Sequence, residues 1–195
     1  MSEILWVAGV DEVGRGALFG PVVAAAVILP ETAIAPLKQL GVQDSKRLSP
    51  KKRVNLSQQI QAIAIDCKVG WAGVREIDRL NILQATLLAM RRSILKLNPP
   101  PQRCLIDGNQ SIPNLSIPQQ TIIKGDQTSE AIASASIIAK VWRDQLIVRL
   151  ARKYPEYDLI HNKGYGTKKH CEALQRYGAS SQHRLSFRPC QVLKL

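Results

Sequence analysis

The chain of 195 residues lacks long hydrophobic runs. Its longest apolar stretch, residues 22–29, is only as long as a β-strand, whereas a transmembrane helix needs about 20 apolar residues. No basic segment opens the chain, and Asp11 and Glu12 interrupt the first apolar stretch, which excludes a typical secretory signal. These absences predict a cytoplasmic protein with no membrane association.

Cysteine patterns typical of zinc sites are also missing. The four cysteines are too widely spaced for a Cys-x-x-Cys pair, and none lies beside a histidine at zinc-ligand spacing: Cys67, Cys104, Cys171 and Cys190. We therefore expect reduced, structural thiols. Structural or phosphate-contact roles are expected of the three histidines, which all fall in the last third of the chain: His161, His170 and His183.

Acidic side chains are scarce. Asp and Glu number 15 against 27 for Lys and Arg, a net charge of +12, which favours a polyanionic partner such as nucleic acid. The last third is the most basic part, because residues 140–195 contribute a net charge of +8. With 45% hydrophobic residues the chain can bury one good core, so a single domain over residues 1–195 is expected.

Hydrophobic patterning predicts alternating strands and helices without repeats. A strand ends near Val10 and forms a hairpin with a second strand at residues 22–29; a loop follows, then a helix begins near Ser49-Pro50. The remaining predicted elements are a strand at 62–73, a helix at 77–97, strands at 103–106 and 120–123, and a long helix at 129–153. This order indicates an α/β fold with a central sheet.

Carboxylates occupy unusual places in this pattern. Asp11 and Glu12 end one predicted strand and Asp107 ends another, while Asp144 lies on the long helix, so all four could converge on one rim of the sheet. Burying such charges costs several kcal/mol unless a cation compensates them. A divalent metal would supply that cation.

Two simpler explanations remain open. Asp11 could cap a turn or pair with Arg15, and Asp144 could form an ion pair with Lys140, one helical turn before it.

Oxygen-only ligands favour Mg²⁺ or Mn²⁺, and a pair of such ions supports in-line hydrolysis of phosphodiesters. A non-catalytic basic protein that binds nucleic acid would explain the charge but not the carboxylates on apolar elements. A P-loop is excluded, because Arg15 and Gly16 replace its Lys and its Ser or Thr.

Six short strings occur in a characteristic order. They are Asp11-Glu12-Val13-Gly14-Arg15-Gly16, Asp44-Ser45-Lys46, Leu105-Ile106-Asp107-Gly108, Lys124-Gly125-Asp126, residues 136–144, and Lys163-Gly164-Tyr165-Gly166-Thr167. Together they resemble the motif series of the bacterial ribonuclease HII family, and the similarity runs from residue 6 to residue 189.

The resemblance implies an RNase H-like fold: a mixed sheet flanked by helices, with a helical C-terminal region from about residue 150. It also implies an endoribonuclease that cleaves RNA in RNA–DNA hybrids and 5′ of single ribonucleotides embedded in duplex DNA. The expected products carry a 3′-hydroxyl and a 5′-phosphate.

By motif position, the resemblance makes four residues both catalytic and metal-binding, with two Mn²⁺ or Mg²⁺ ions: Asp11, Glu12, Asp107 and Asp144. Five further residues would bind substrate: Gly14, Arg15 and Gly16 through their backbone at the 2′-hydroxyl, Lys46 at a phosphate, and Tyr165 at the sugar that follows the ribonucleotide. A monomer is expected. The C-terminal residues 191–195 resemble sliding-clamp-binding peptides, with a disordered tail as the alternative.

Overall fold

A computed structural model describes residues 5–42 and 48–191 of the chain. Within these residues, strands and helices follow one another up to residue 151, and the elements after it are helices. The strands are β1 (Val7–Val13), β2 (Val22–Ile28), β3 (Asp66–Ala72), β4 (Arg103–Asp107) and β5 (Gln119–Ile122). The α-helices are α1 (Glu31–Gln39), α2 (Pro50–Ile63), α3 (Val74–Leu80), α4 (Ile82–Ile94), α5 (Glu130–Ala151), α6 (Leu159–Asn162), α7 (Lys168–Tyr177) and α8 (Arg188–Gln191).

The five strands form one mixed sheet in the order β3-β2-β1-β4-β5. Strand β2 pairs antiparallel with both β1 and β3, whereas β4 pairs parallel with β1 and β5. Every residue of β2 is buried, because one face of this strand packs in a cluster with α4 and the other face in a cluster with α1, α2 and α5. The arrangement confirms the predicted α/β fold with a central sheet and a helical C-terminal region.

Helix α5 lies unusually close to β1. A Cβ atom at Gly9 would be 2.2 Å from the carbonyl carbon of Ala131, so only glycine permits the first turn of α5 to rest on the strand backbone. Ser129 begins this helix by accepting a hydrogen bond from the Ile132 amide. The helix is therefore fixed against the strand two residues before Asp11.

Several predicted elements differ in the structure. Strand β1 continues through Asp11 and Glu12 to Val13, because these residues pair with Ala25 and Ala24 of β2. Helix α1 occupies part of the segment predicted as a loop. The helix predicted at 77–97 is two helices, because Asn81 adopts a φ of 69° and its side chain begins α4 by accepting a hydrogen bond from the Gln84 amide at 3.1 Å.

Within the described ranges, no helix has the length and apolar character needed to cross a membrane.

Candidate active site

Three of the predicted carboxylates meet beside the end of β4. The parallel pairing of β1 with β4 covers only Val7–Val10, so Asp11 and Glu12 extend past it, and Asp107 is the last residue of β4. Each side chain offers an oxygen atom to a group in which all three oxygens lie within 4.8 Å of one another. Carboxylate oxygens at such spacing are a suitable ligand set for a divalent cation.

Asp11 is the most buried member of the group, with 5% of its surface exposed. Burial raises the pKa of Asp11 well above its ordinary value, and the neighbouring charges of Glu12 and Asp107 raise this pKa further. Hydrogen bonds oppose the shift: Ser136 bonds to the Asp11 carboxylate, and the Glu12 amide donates to its Oδ1 at 2.7 Å. A bound cation would relieve this repulsion among the buried carboxylates.

The other two carboxylates are each anchored through one oxygen. Burial raises the pKa of Glu12, and Arg15 opposes this by placing its Nη1 3.3 Å from Oε1. Oδ1 of Asp107 accepts a hydrogen bond from the Gly125 amide at 2.7 Å. Arg15 is therefore seen paired with Glu12, and not with Asp11 as the simpler explanation required.

A cleft of about 400 Å³ opens over this group. It is lined by Asp11, Glu12, Val13, Arg53, Asp107, Asp126, Ser136, Ile137, Lys140 and Tyr165. Neither Ser136 nor Lys140 was predicted to contribute to this cleft. Their spacing of four residues on α5 places them on one helix face and could have predicted their joint position. No local pattern predicts that Asp126 lines the cleft, since it follows β5 in a short 3₁₀ turn.

Asp144 is placed differently from the other three carboxylates. Its Oδ1 lies 2.9 Å from Nζ of Lys140, and its side chain lines a second cavity between α2 and α5. The structure thus shows the ion pair that the sequence left open as an alternative. A metal-binding role for Asp144 stays a prediction.

Gly14 and Gly16 differ in their surroundings. Gly14 is buried with a φ of 89°, and a Cβ atom there would lie 2.2 Å from Nε of Arg143, so glycine is required. Gly16 is exposed, and a Cβ atom there would have open space around it. The space beside the Cα atom is therefore open at Gly16, whereas at Gly14 it is filled by the Arg143 side chain.

Two buried arginines hold this loop in place. Arg143 donates to the carbonyls of Phe19 at 3.0 Å and Lys163 at 2.9 Å, and Arg184 donates to the carbonyls of Arg15 at 2.8 Å and Gly20 at 3.0 Å. Burial lowers the pKa of both, that of Arg184 to about 9. The loop is consequently fixed by contacts from sequence positions more than 100 residues away.

Tyr165 reaches the same side of the cleft. An isolated antiparallel bridge joins Tyr165 to Ala17, directly after Gly16, and the Leu18 amide donates to Gly164 at 2.8 Å. The ring is half-buried, with Nζ of Lys140 5.8 Å from its centroid. The fold therefore brings together the predicted glycine loop and the predicted tyrosine. The predicted phosphate contact, Lys46, lies outside the described residues.

Comparison with known proteins agrees with this geometry. The family model described as ribonuclease HII matches residues 8–190. The protein called ribonuclease HII from Acaryochloris marina is 64% identical over 186 residues, covering 95% of this chain and 94% of that protein. Ribonuclease H2 from Pyrococcus horikoshii has a similar crystal structure, with a TM-score of 0.82 and 28% identity over 97% of each chain. A second similar structure, from the PCNA:RNase HII complex of Archaeoglobus fulgidus, has a TM-score of 0.81 and 28% identity over 94% of this chain and 96% of that one.

These similarities confirm the RNase H-like fold, and they extend over nearly the whole chain, including the carboxylates and the loop described above. The chain belongs to the ribonuclease HII family.

Proposed function

We propose that this protein cuts duplex DNA 5′ of single embedded ribonucleotides, as well as RNA within RNA–DNA hybrids. Family membership makes it an endoribonuclease that acts on RNA–DNA hybrids. The observation that carries the finer proposal is the position of Tyr165, bridged to the glycine loop at the edge of a cleft lined by carboxylates. A non-catalytic nucleic-acid-binding protein would have no use for three carboxylates within 4.8 Å of one another.

Divalent cations, Mg²⁺ or Mn²⁺, would be held by Asp11, Glu12 and Asp107, and Asp144 would complete the set for two ions. When bound, the ions supply an activated water and stabilise the leaving 3′-oxygen, leaving a 3′-hydroxyl and a 5′-phosphate. Asp11, the most buried of the three, would help to hold both ions. Asp144 would offer its Oδ2 atom to a cation while Oδ1 pairs with Lys140, and Lys140, which lines the cleft, would also face a phosphate there.

Recognition would depend on the two elements beside the carboxylates. The exposed backbone at Gly16, with that of Gly14 and Arg15, would contact the 2′-hydroxyl, the group that distinguishes RNA from DNA at a single nucleotide. The Tyr165 ring would pack against the sugar of the next nucleotide. Lys46 would contact a phosphate. Cleavage would then require both a 2′-hydroxyl and a correctly placed following sugar.

Partners and location follow from the same proposal. A basic monomer acting on nucleic acid in the cytoplasm agrees with the net charge of +12. The Archaeoglobus relative was solved as a PCNA:RNase HII complex, and we extend sliding-clamp contact to the tail of this chain at residues 191–195. Residues 192–195 lie outside the described part.

The deciding experiment is cleavage of a labelled duplex that contains one ribonucleotide, with the cut mapped and its ends identified. We expect cutting 5′ of the ribonucleotide that requires Mg²⁺ or Mn²⁺ and stops with chelator. Tyr165→Ala should lower this cleavage about tenfold or more, since burying a large apolar side chain against a ligand contributes about 1.5–3 kcal/mol. Duplex affinity should change little, because phosphate contacts elsewhere persist.

Tyr177→Ala is the matched control, because it removes an exposed tyrosine at the end of α7 that does not line the cleft. Its cleavage should equal that of the unchanged protein. A 2′,3′-cyclic phosphate product, or equal cutting of an all-DNA duplex, would contradict the proposed function.

A further inference from the structure

Two buried histidines lie directly behind Tyr165. His170 stands in the first turn of α7 and His183 in the segment before α8, and their Nε2 atoms are 3.0 Å apart. Their exposed fractions are 0% and 1%. Neither lines the carboxylate cleft, so the proposed chemistry gives them no direct part.

The hydrogen bonds around this pair fix the tautomer of each ring. The Ser180 amide donates to Nδ1 of His183 at 3.0 Å, so that nitrogen carries no proton and Nε2 must carry it. Nε2 of His183 therefore donates to Nε2 of His170. The remaining proton of His170 is on Nδ1, which donates to the Tyr165 carbonyl at 2.9 Å. One directed chain of hydrogen bonds thus runs from Ser180 to Tyr165.

Both rings are neutral in this arrangement. Burial lowers the pKa of His183 to about 4, with the adjacent His170 as a further cause, and burial also lowers the pKa of His170. A proton added to His170 would place its Nε2–H against that of His183, and a proton added to His183 would place its Nδ1–H against the Ser180 amide. The geometry therefore permits a single protonation pattern near neutral pH.

The chain of hydrogen bonds ends at the turn that contains Tyr165, and two backbone hydrogen bonds also hold this turn. The Tyr165 carbonyl accepts a second hydrogen bond from the Thr167 amide at 2.8 Å, and the Tyr165 amide donates to the Asn162 carbonyl at 3.0 Å. His183 in turn forms an isolated bridge with Phe19, in the loop that follows Gly16. The histidine pair thus connects the tyrosine turn to the segment that holds the glycine loop.

We propose that His170 and His183 are positioning residues that hold the backbone of Tyr165, so that its ring meets the sugar following a single ribonucleotide. The inference rests on the proposed function. This network contacts the Tyr165 carbonyl, whereas the three clustered carboxylates lie on β1 and β4. The histidine pair should consequently affect recognition of the sugar that follows the ribonucleotide, and not the hydrolysis itself.

The test is a double-mutant cycle of His170→Leu with Tyr165→Ala, measured on the single-ribonucleotide duplex. His170→Leu alone should lower cleavage about tenfold, from the loss of one buried hydrogen bond and the unsatisfied His183 donor. In the Tyr165→Ala background the same change should have almost no further effect. His161→Ala, at an exposed histidine on α6, should leave cleavage unchanged.

An equal decrease in both backgrounds would overturn the inference, since it would show that the pair acts independently of the Tyr165 ring. If His170→Leu does not fold, nuclear magnetic resonance of the unchanged protein still decides. Nitrogen shifts at pH 7 should identify His170 as the Nδ1–H tautomer and His183 as the Nε2–H tautomer; any other tautomer refutes the chain. Failure of the unchanged protein to cut this duplex would instead refute the proposed function.

Discussion

Replacing Asp11 with asparagine should stabilise the metal-free protein while abolishing cleavage. Asparagine keeps an Oδ1 atom to accept the hydrogen bond from the Glu12 amide, but it removes one charge from the group of three carboxylates. At 4.8 Å, with an effective dielectric constant of about 20, two unit charges repel by about 3.5 kcal/mol. Protonation of Asp11, which its raised pKa favours, relieves part of this repulsion. We therefore expect the free energy of unfolding to rise by about 1–3 kcal/mol in the presence of chelator.

The sign of the pH dependence follows from the raised pKa of Asp11. Burial and the neighbouring carboxylates favour the protonated form in the folded state, so the ionised form opposes folding. This penalty is absent below the unfolded pKa of about 4 and grows until pH exceeds the folded pKa. The stability advantage of Asp11→Asn should therefore increase with pH above about 4.

Urea unfolding in chelator, repeated from pH 4 to pH 8, measures this advantage, and cleavage of a labelled hybrid is measured in parallel. Added Mg²⁺ or Mn²⁺ should stabilise the original protein more than the variant, because the cation binds only the folded site. Asp66→Asn is the control of opposite sign: although burial raises the pKa of Asp66, hydrogen bonds from Lys68 and the Asn98 amide lower it overall, so this change should destabilise. A less stable Asp11→Asn protein in chelator at neutral pH, or retained cleavage, would refute the reasoning.

Two further sets of substitutions test the proposed metal-binding role of Asp144 and the proposed nucleic-acid surface at the start of α7. If Asp144 holds a catalytic cation, Asp144→Asn should reduce cleavage by about 10²-fold or more. If Asp144 only forms the partly exposed i,i+4 ion pair with Lys140, the same change should cost only about 0.5 kcal/mol of stability. Unfolding and cleavage measured on one preparation decide between these two roles. Replacing Lys168 and Lys169 together with methionine should weaken binding to hybrid and plain duplex equally and reduce the slope of log affinity against log salt, because phosphate contacts release counterions. An unchanged slope would remove the start of α7 from the proposed nucleic-acid surface.

Sequence patterns predicted the sheet and the meeting of three carboxylates because both depend on strands. Alternation and β-branched residues identify a strand, and a polar residue at its end identifies the rim where ligands bind. Asp11, Glu12 and Asp107 could be placed in this way. The roles of these residues in binding metal stay predictions.

Contacts between distant parts of the chain could not be predicted. Arg143 and Arg184 resemble surface cations in a basic segment, yet both are fully buried and hold carbonyls of the glycine loop. The apolar stripe of residues 77–97 continues across Asn81, so periodicity alone predicts one helix there. Asn81 ends it because an asparagine accepts both a positive φ and a capping hydrogen bond.

The missing side chain at Gly9 sets the distance between the two layers that carry the proposed chemistry. Asp11 belongs to the strand, while Ser136 and Asp144 belong to the helix that rests on Gly9. A methyl group there would have to move the helix by about 1.5 Å before reaching an ordinary van der Waals separation. Displacements of about 1 Å can lower enzyme rates about 10²-fold. The absence of a side chain at position 9 thus sets the spacing between the strand and the helix of the site. A residue that contacts no proposed ligand therefore helps to align the residues of the proposed chemistry.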